Sequence, residues 1–188
     1  MRKVVVLLLI GLIMITGCSV KKTEELSSAE RFAVEYSISE DNPFEYATID
    51  EVLDIIKNKS GIIFFGNSDC EWCIESASIL NDALNYKNIE KVYYYNPKDI
   101  REKNTKKYQE LVELLGDNLE KDENGESYLY LPDVYFIKNG KVIGHNNDTA
   151  TMSGNIDEAL TEENKKKLRK AYLELISEYN TGECTNNC

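Results

Sequence analysis

Two periodicities alternate along this chain. Apolar residues run together at Gly61-Ile62-Ile63-Phe64-Phe65, at Val92-Tyr93-Tyr94-Tyr95 and at Val134-Tyr135-Phe136-Ile137, which predicts three buried strands. Phe44–Thr48 predicts a further strand. Between these runs the apolar positions fall at helical spacing. Ile49, Val52, Leu53, Ile55 and Ile56 predict an amphipathic helix capped by Thr48 or Asp50. Ile74, Ala77, Ile79, Leu80, Ala83 and Leu84 predict one running from Cys70 to about Tyr86. Tyr108, Leu111, Val112, Leu114 and Leu115 mark another over about 104–119, followed by a charged loop at Lys121–Ser127. Asn139-Gly140, set between β-rich runs, predicts a hairpin with a partner strand at Lys141–Gly144. Leu168, Ala171, Tyr172, Leu175 and Ile176 share one face of a last helix ending near Tyr179. Thr161 caps it, with Glu162 and Glu163 at the positive end of its dipole.

The first 42 residues depart from that rhythm. Arg2 and Lys3 precede a nearly unbroken apolar stretch from Val4 to Ile15, too short to span a hydrocarbon core of about 30 Å comfortably. It reads as the core of a signal peptide. Ile15-Thr16-Gly17-Cys18 follows and resembles the lipobox of bacterial lipoproteins, which implies cleavage after residue 17 and lipidation of Cys18. Residues 18–42 are polar and charged with few apolar positions, and read as a tether holding a domain of residues 43–180 off the membrane; a short helix around Glu24–Val34 is the alternative. Residues 181–188 form a tail carrying Cys184 and Cys188.

Charge narrows the partners. Acidic residues number 33 against 22 basic, a net charge of −11 that grows more negative once Arg2 and Lys3 are cleaved away. Such a surface argues against nucleic acid.

The chemistry lies at Cys70-Glu71-Trp72-Cys73, where a predicted strand hands over to a predicted helix. Two cysteines at this spacing can close a disulfide within one helical turn. At a helix N-terminus, backbone N–H groups and the dipole stabilise a thiolate, the nucleophile of disulfide exchange. The pattern therefore points to a redox pair. The bland reading is an inert disulfide. A zinc site would need Cys184 and Cys188 as the second ligand pair, an irregular spacing in a polar tail, so no metal is expected. The tail cysteines read instead as a small disulfide of their own, with a redox relay as the alternative.

The order β-α-β-α-β-α, then a ββ hairpin and a helix, together with Cys70–Cys73 and Pro132-Asp133-Val134-Tyr135-Phe136-Ile137-Lys138-Asn139-Gly140, resembles the thioredoxin fold. The class implied is α/β, a central mixed sheet with flanking helices and a helical insertion before the cis-proline strand. With the lipobox and the terminal cysteines, the chain resembles thioredoxin-like lipoproteins of Gram-positive bacteria, often labelled bacteriocin transport accessory proteins. The resemblance implies that Leu131-Pro132 is a cis peptide beside the dithiol, and that Cys70 attacks while Cys73 resolves. It further implies a substrate groove of Leu131 and Pro132, with Trp72 either a contact platform or a ring covering the edge. Protein thiols or disulfides would be the partners, on the outer face of the membrane, with no cofactor because the sulfurs carry the electrons. The alternative is a non-catalytic adaptor of a transporter or surface assembly with a structural disulfide.

Two departures from the family matter. The position of its buried acid is Phe64 here, and its strand lysine falls among Tyr93–Tyr95, so Glu71 or a tyrosine becomes the candidate proton carrier. Asp69, Glu71 and Glu75 surround Cys70 with no Lys, Arg or His between Gly61 and Tyr86. Like charges raise a thiol's pKa, which predicts a modestly stabilised thiolate and a reductase-leaning protein. His145 reads as a surface residue.

Overall fold

The computed structural model describes residues 25–149 and 160–181. Cys18, Cys184 and Cys188 lie outside the described residues. Five strands, β1 (Phe44–Tyr46), β2 (Gly61–Phe65), β3 (Val92–Tyr95), β6 (Asp133–Lys138) and β7 (Lys141–Asn146), form one sheet. Their order across it is β1-β3-β2-β6-β7. β1, β3 and β2 are mutually parallel, whereas β6 is antiparallel to β2 and β7 to β6. This mixed sheet with helices on both faces is the thioredoxin fold that the element order predicts.

Side-chain alternation divides β2 and β6 between two cores. Ile62, Phe64, Val134 and Phe136 face one cluster, built with α1 (Ser28–Tyr36), α3 (Glu71–Tyr86) and α6 (Glu162–Thr181). Ile63, Phe65, Tyr135 and Ile137 face the other, built with α2 (Ile49–Asn58) and α5 (Lys106–Leu115). A central strand covered on both faces must be apolar throughout, which is why β2 reads as a continuous run. At the hairpin, Asn139 and Gly140 take φ of 49° and 70°, the left-handed pair of a tight β-turn. Gly140 cannot be replaced there, since a Cβ would lie 2.3 Å from the Lys57 carbonyl oxygen.

The stretch expected to be a polar tether carries a docked helix. Ser27 and Glu30 form a capping box at the start of α1, and Phe32 and Tyr36, one helical turn apart, are fully buried. Phe32 stacks on Phe44 at 4.0 Å and on Tyr36 at 4.2 Å. Two aromatics bury enough surface to hold a nine-residue helix that its average polarity conceals. The folded domain therefore begins upstream of residue 43.

The insertion between β3 and β6 is also more divided than the pattern predicts. Short α4 (Lys98–Glu102) precedes α5, which Thr105 caps and Gly116 ends at φ 53°. A 3-10 turn (Gly116–Asn118) leads to a small hairpin of β4 (Glu120–Lys121) and β5 (Ser127–Tyr128), where a charged loop was expected. The carboxylate of Asp122 ties its turn by accepting from the N–H groups of Asn124 and Glu126.

Candidate functional site

β2 delivers the chain to the loop that starts α3, and Cys70 is the N-cap of that helix. The Cys73 N–H donates to the Cys70 sulfur at 3.4 Å and to the Cys70 carbonyl at 3.0 Å. Cys70 is half-buried and Cys73 fully buried, and both are free thiols. Their environments push the two acidities apart. Hydrogen bonding from the Cys73 thiol, then from the Cys73 and Trp72 N–H groups, lowers the Cys70 pKa to about 6 against the cost of burial. Cys73, donating to Cys70 and cut off from water, is pushed far up. The pair is thus one half-buried cysteine poised as the thiolate and one fully buried thiol that shares its proton with it.

The flanking acids do not keep Cys70 at an ordinary thiol's acidity, because each of two of them is held by a partner of its own. Asp69 is paired with Lys98 at 3.3 Å, and Glu75 is drawn to the Leu160 N–H at 3.0 Å and to Lys165 at 3.7 Å. Arg101 then adds positive charge that favours both thiolates. These cations come from α4 and α6, and local sequence around the cysteines gives no sign of them. α4 is fastened to the site on two sides. Asn96 donates to Asn67 at 3.3 Å in the active loop, and Arg101 donates to the Leu129 carbonyl at 2.8 Å.

Antiparallel pairing of Phe65 with Asp133 sets the start of β6 beside the C-terminal end of β2, from which the Cys70 loop departs. Leu131-Pro132 is a cis peptide there, as the resemblance implies. Leu131 lies half-buried between the two cores, and Trp72 is half-buried against the α3 side. Glu71 is exposed on the first turn of α3. Of the candidate proton carriers, the tyrosines are the ones beside Cys73. The Tyr36 hydroxyl donates to that of Tyr94 at 3.1 Å, and burial above all holds both hydroxyls protonated, with a negative charge on Cys73 adding a smaller push in the same direction. Phe64, where the family carries its acid, is fully buried between their rings. Tyr36 fits under the loop because Gly66 has no side chain; a Cβ there would lie 2.9 Å from its hydroxyl.

His145 is half-buried and bonded, contrary to the surface reading. Its Nδ1 lies 3.0 Å from Asp133, a carboxyl only 1 % exposed that directly follows Pro132, and its ring stacks on Tyr135 at 4.8 Å. Burial pushes the Asp133 carboxyl up, and that carboxyl pushes His145 up. Sequence could not pair them, since they stand twelve positions apart across a turn. Among the described residues, no group of three or more His, Cys, Asp or Glu side chains gathers as a metal site.

No family model matches the chain, and no curated protein matches it. Its structure is similar to the crystal structure of oxidized glutaredoxin 2 from Chlamydomonas reinhardtii, with 22 % identity, a TM-score of 0.33, and coverage of 70 % of this chain and 92 % of that one.

Proposed function

We propose that the protein is a thiol–disulfide oxidoreductase of the thioredoxin type. The observation that carries this is the split pair at the start of α3: a half-exposed Cys70 whose pKa is lowered to about 6, beside a buried Cys73 whose proton is held. In the reducing direction the Cys70 thiolate attacks a substrate disulfide, forming a Cys70–substrate bond and releasing one substrate thiolate. Cys73 gives up its proton to the substrate thiolate released in the first exchange and attacks the Cys70 sulfur. A Cys70–Cys73 disulfide forms, the second substrate sulfur leaves as a thiolate, and two electrons have passed to the substrate. Trp72, Leu131 and Pro132 form the groove that receives the substrate.

The lipobox-like Ile15-Thr16-Gly17-Cys18 supports a place on the extracytoplasmic face of the cell membrane with a lipid on Cys18, in the manner of the Gram-positive lipoproteins that the sequence resembles. Cys73→Ser tests the chemistry, because it stops the cycle at the mixed disulfide. Substrate proteins should remain covalently attached to Cys70 and be released by dithiol. If nothing is trapped by Cys73→Ser and the wild type exchanges no disulfide, the reading fails. Mass spectrometry of the membrane-bound protein tests the anchor, and an unmodified Cys18 would overturn it.

A further inference from the structure

One buried pair of titratable side chains takes no part in the exchange chemistry, yet adjoins the groove. Asp133 follows Pro132 in the chain, and its pairing with Phe65 is the end of the β2–β6 ladder. On its other side the ladder with β7 begins one residue later, at Val134 and Asn146. Side chains close that gap. The Asp133 carboxyl lies 3.0 Å from Nδ1 of His145, whose ring is nearly parallel to that of Tyr135, with 12° between the planes. The Tyr135 hydroxyl in turn donates to the Asn118 carbonyl at 3.2 Å. Leu131 and Pro132 lie just beyond both ladders, so the groove backbone takes its position from Asp133.

A buried ion pair is a weak device for stability alone, because apolar residues of similar volume often serve as well or better. An interior carboxyl with a specific charge partner beside a groove is instead a mark of a functional site. This pair can also change state. The His145 side chain is 25 % exposed and exchanges protons with water, whereas the carboxyl is shut in. With its proton, the imidazole grips the carboxylate by a charge-assisted bond, roughly twice as strong as a neutral one. Without it, a buried carboxylate loses its counter-charge. The other groups that act on the pair do not compete for this role. Asp148, just past β7, and Glu120, on β4, both favour the imidazole proton. Tyr135 and, from α6, Tyr172 feel the Asp133 charge, but burial keeps both hydroxyls protonated.

We propose that Asp133 and His145 are a positioning pair for the substrate groove: joined, they fix the start of β6 and with it the Leu131-Pro132 backbone that holds a polypeptide disulfide. The proposal rests on the oxidoreductase reading. It leaves the exchange step unchanged and makes the hold on polypeptide substrates depend on the His145 proton.

His145 is the one histidine of the chain, so a single imidazole resonance in NMR follows its titration. The test sets that curve beside a ratio of two kcat/KM values. The numerator is for a disulfide-linked peptide, acetylated and free of histidine; the denominator is for bis(2-hydroxyethyl) disulfide, too small to lie along the groove. The ratio cancels changes in the reactivity of Cys70, which titrates in the same region. Asp133 raises the imidazole pKa above the ordinary 6.5, so the ratio should be highest below about that pH. It should fall about three- to tenfold as pH rises through the imidazole midpoint, by a rise in KM for the peptide. Asp133→Asn keeps the shape and removes the charge, and His145→Gln keeps a donor and removes the titration. Each should flatten the ratio. A wild-type ratio that does not fall at the imidazole midpoint, a fall confined to kcat, or a fall that persists in a folded variant overturns the positioning role and leaves the oxidoreductase reading intact. If near-UV circular dichroism shows that neither variant folds, the wild-type comparison decides alone. Failure of the wild type to reduce either disulfide overturns both readings.

Discussion

Arg101 links the thiolate to the segment that leads into β6. It reaches Leu129 with a hydrogen bond and favours the Cys70 thiolate with its charge, so both effects depend on one side chain. Arg101→Gln should shift the alkylation profile of Cys70 to higher pH, with reactivity at pH 6 falling roughly two- to fivefold. Iodoacetamide labelling across a pH series checks this, and an unmoved midpoint would mean that the helix N-terminus and Cys73 do the whole work. His145 is a second residue whose charge matters, this time for stability. Its folded pKa is raised above the ordinary 6.5 by Asp133, so the folded protein binds the proton more tightly than the unfolded chain. The resulting stabilisation is complete below about pH 6.5 and is lost as pH rises through the folded value. His145→Gln should therefore flatten that slope and cost about 1–3 kcal/mol at pH 6, because a buried carboxyl loses its charged partner. Urea titrations at pH 6 and pH 8 measure both effects.

At the scale of elements, α1 is the piece that polarity hides. Phe32 is fully buried against Phe44 and Tyr36, so Phe32→Ala should destabilise the domain by about 3–5 kcal/mol. A loss below about 1 kcal/mol on thermal or urea unfolding would mean that α1 only rests on the surface. The long-period signals were readable from the start. β2, α3, β6 and the Asn139-Gly140 turn fall where apolar runs, helical spacing and turn chemistry set them, because each carries its own local preference. The insertion was harder to read. The β4–β5 hairpin has strands of two residues, too short for alternation to show, and owes its turn to the carboxylate of Asp122. The cysteines were legible as a pair, but their electrostatics were not. Arg101 and Lys98 lie in the chain some thirty residues beyond Cys70, and only the fold brings them close. The His145–Asp133 pair is hidden for the same reason, since a partnership across a hairpin leaves no periodic trace.

For the whole molecule, the acidity of Cys70 bears on the direction in which electrons flow. A stabilised thiolate favours the reduced dithiol and so makes the disulfide a stronger oxidant. The nucleophilic cysteine has a pKa of about 7 in thioredoxin and about 3.5 in the strongest oxidases of this fold. Cys70, at about 6, lies nearer the first. The Cys73 thiol, then the N–H groups of the helix N-terminus and lastly Arg101 have moved it only part of the way, because burial opposes them. The reduction potential should accordingly be nearer about −270 mV than about −120 mV, which makes electron donation to substrate disulfides the favoured direction. Trp72, the one tryptophan of the chain and set between the two cysteines, gives a built-in fluorescence signal for the measurement. Equilibration of the protein with graded ratios of reduced and oxidised glutathione, then with dithiothreitol, brackets the midpoint. A value above roughly −160 mV on that scale would reverse the assignment and make the protein a disulfide donor.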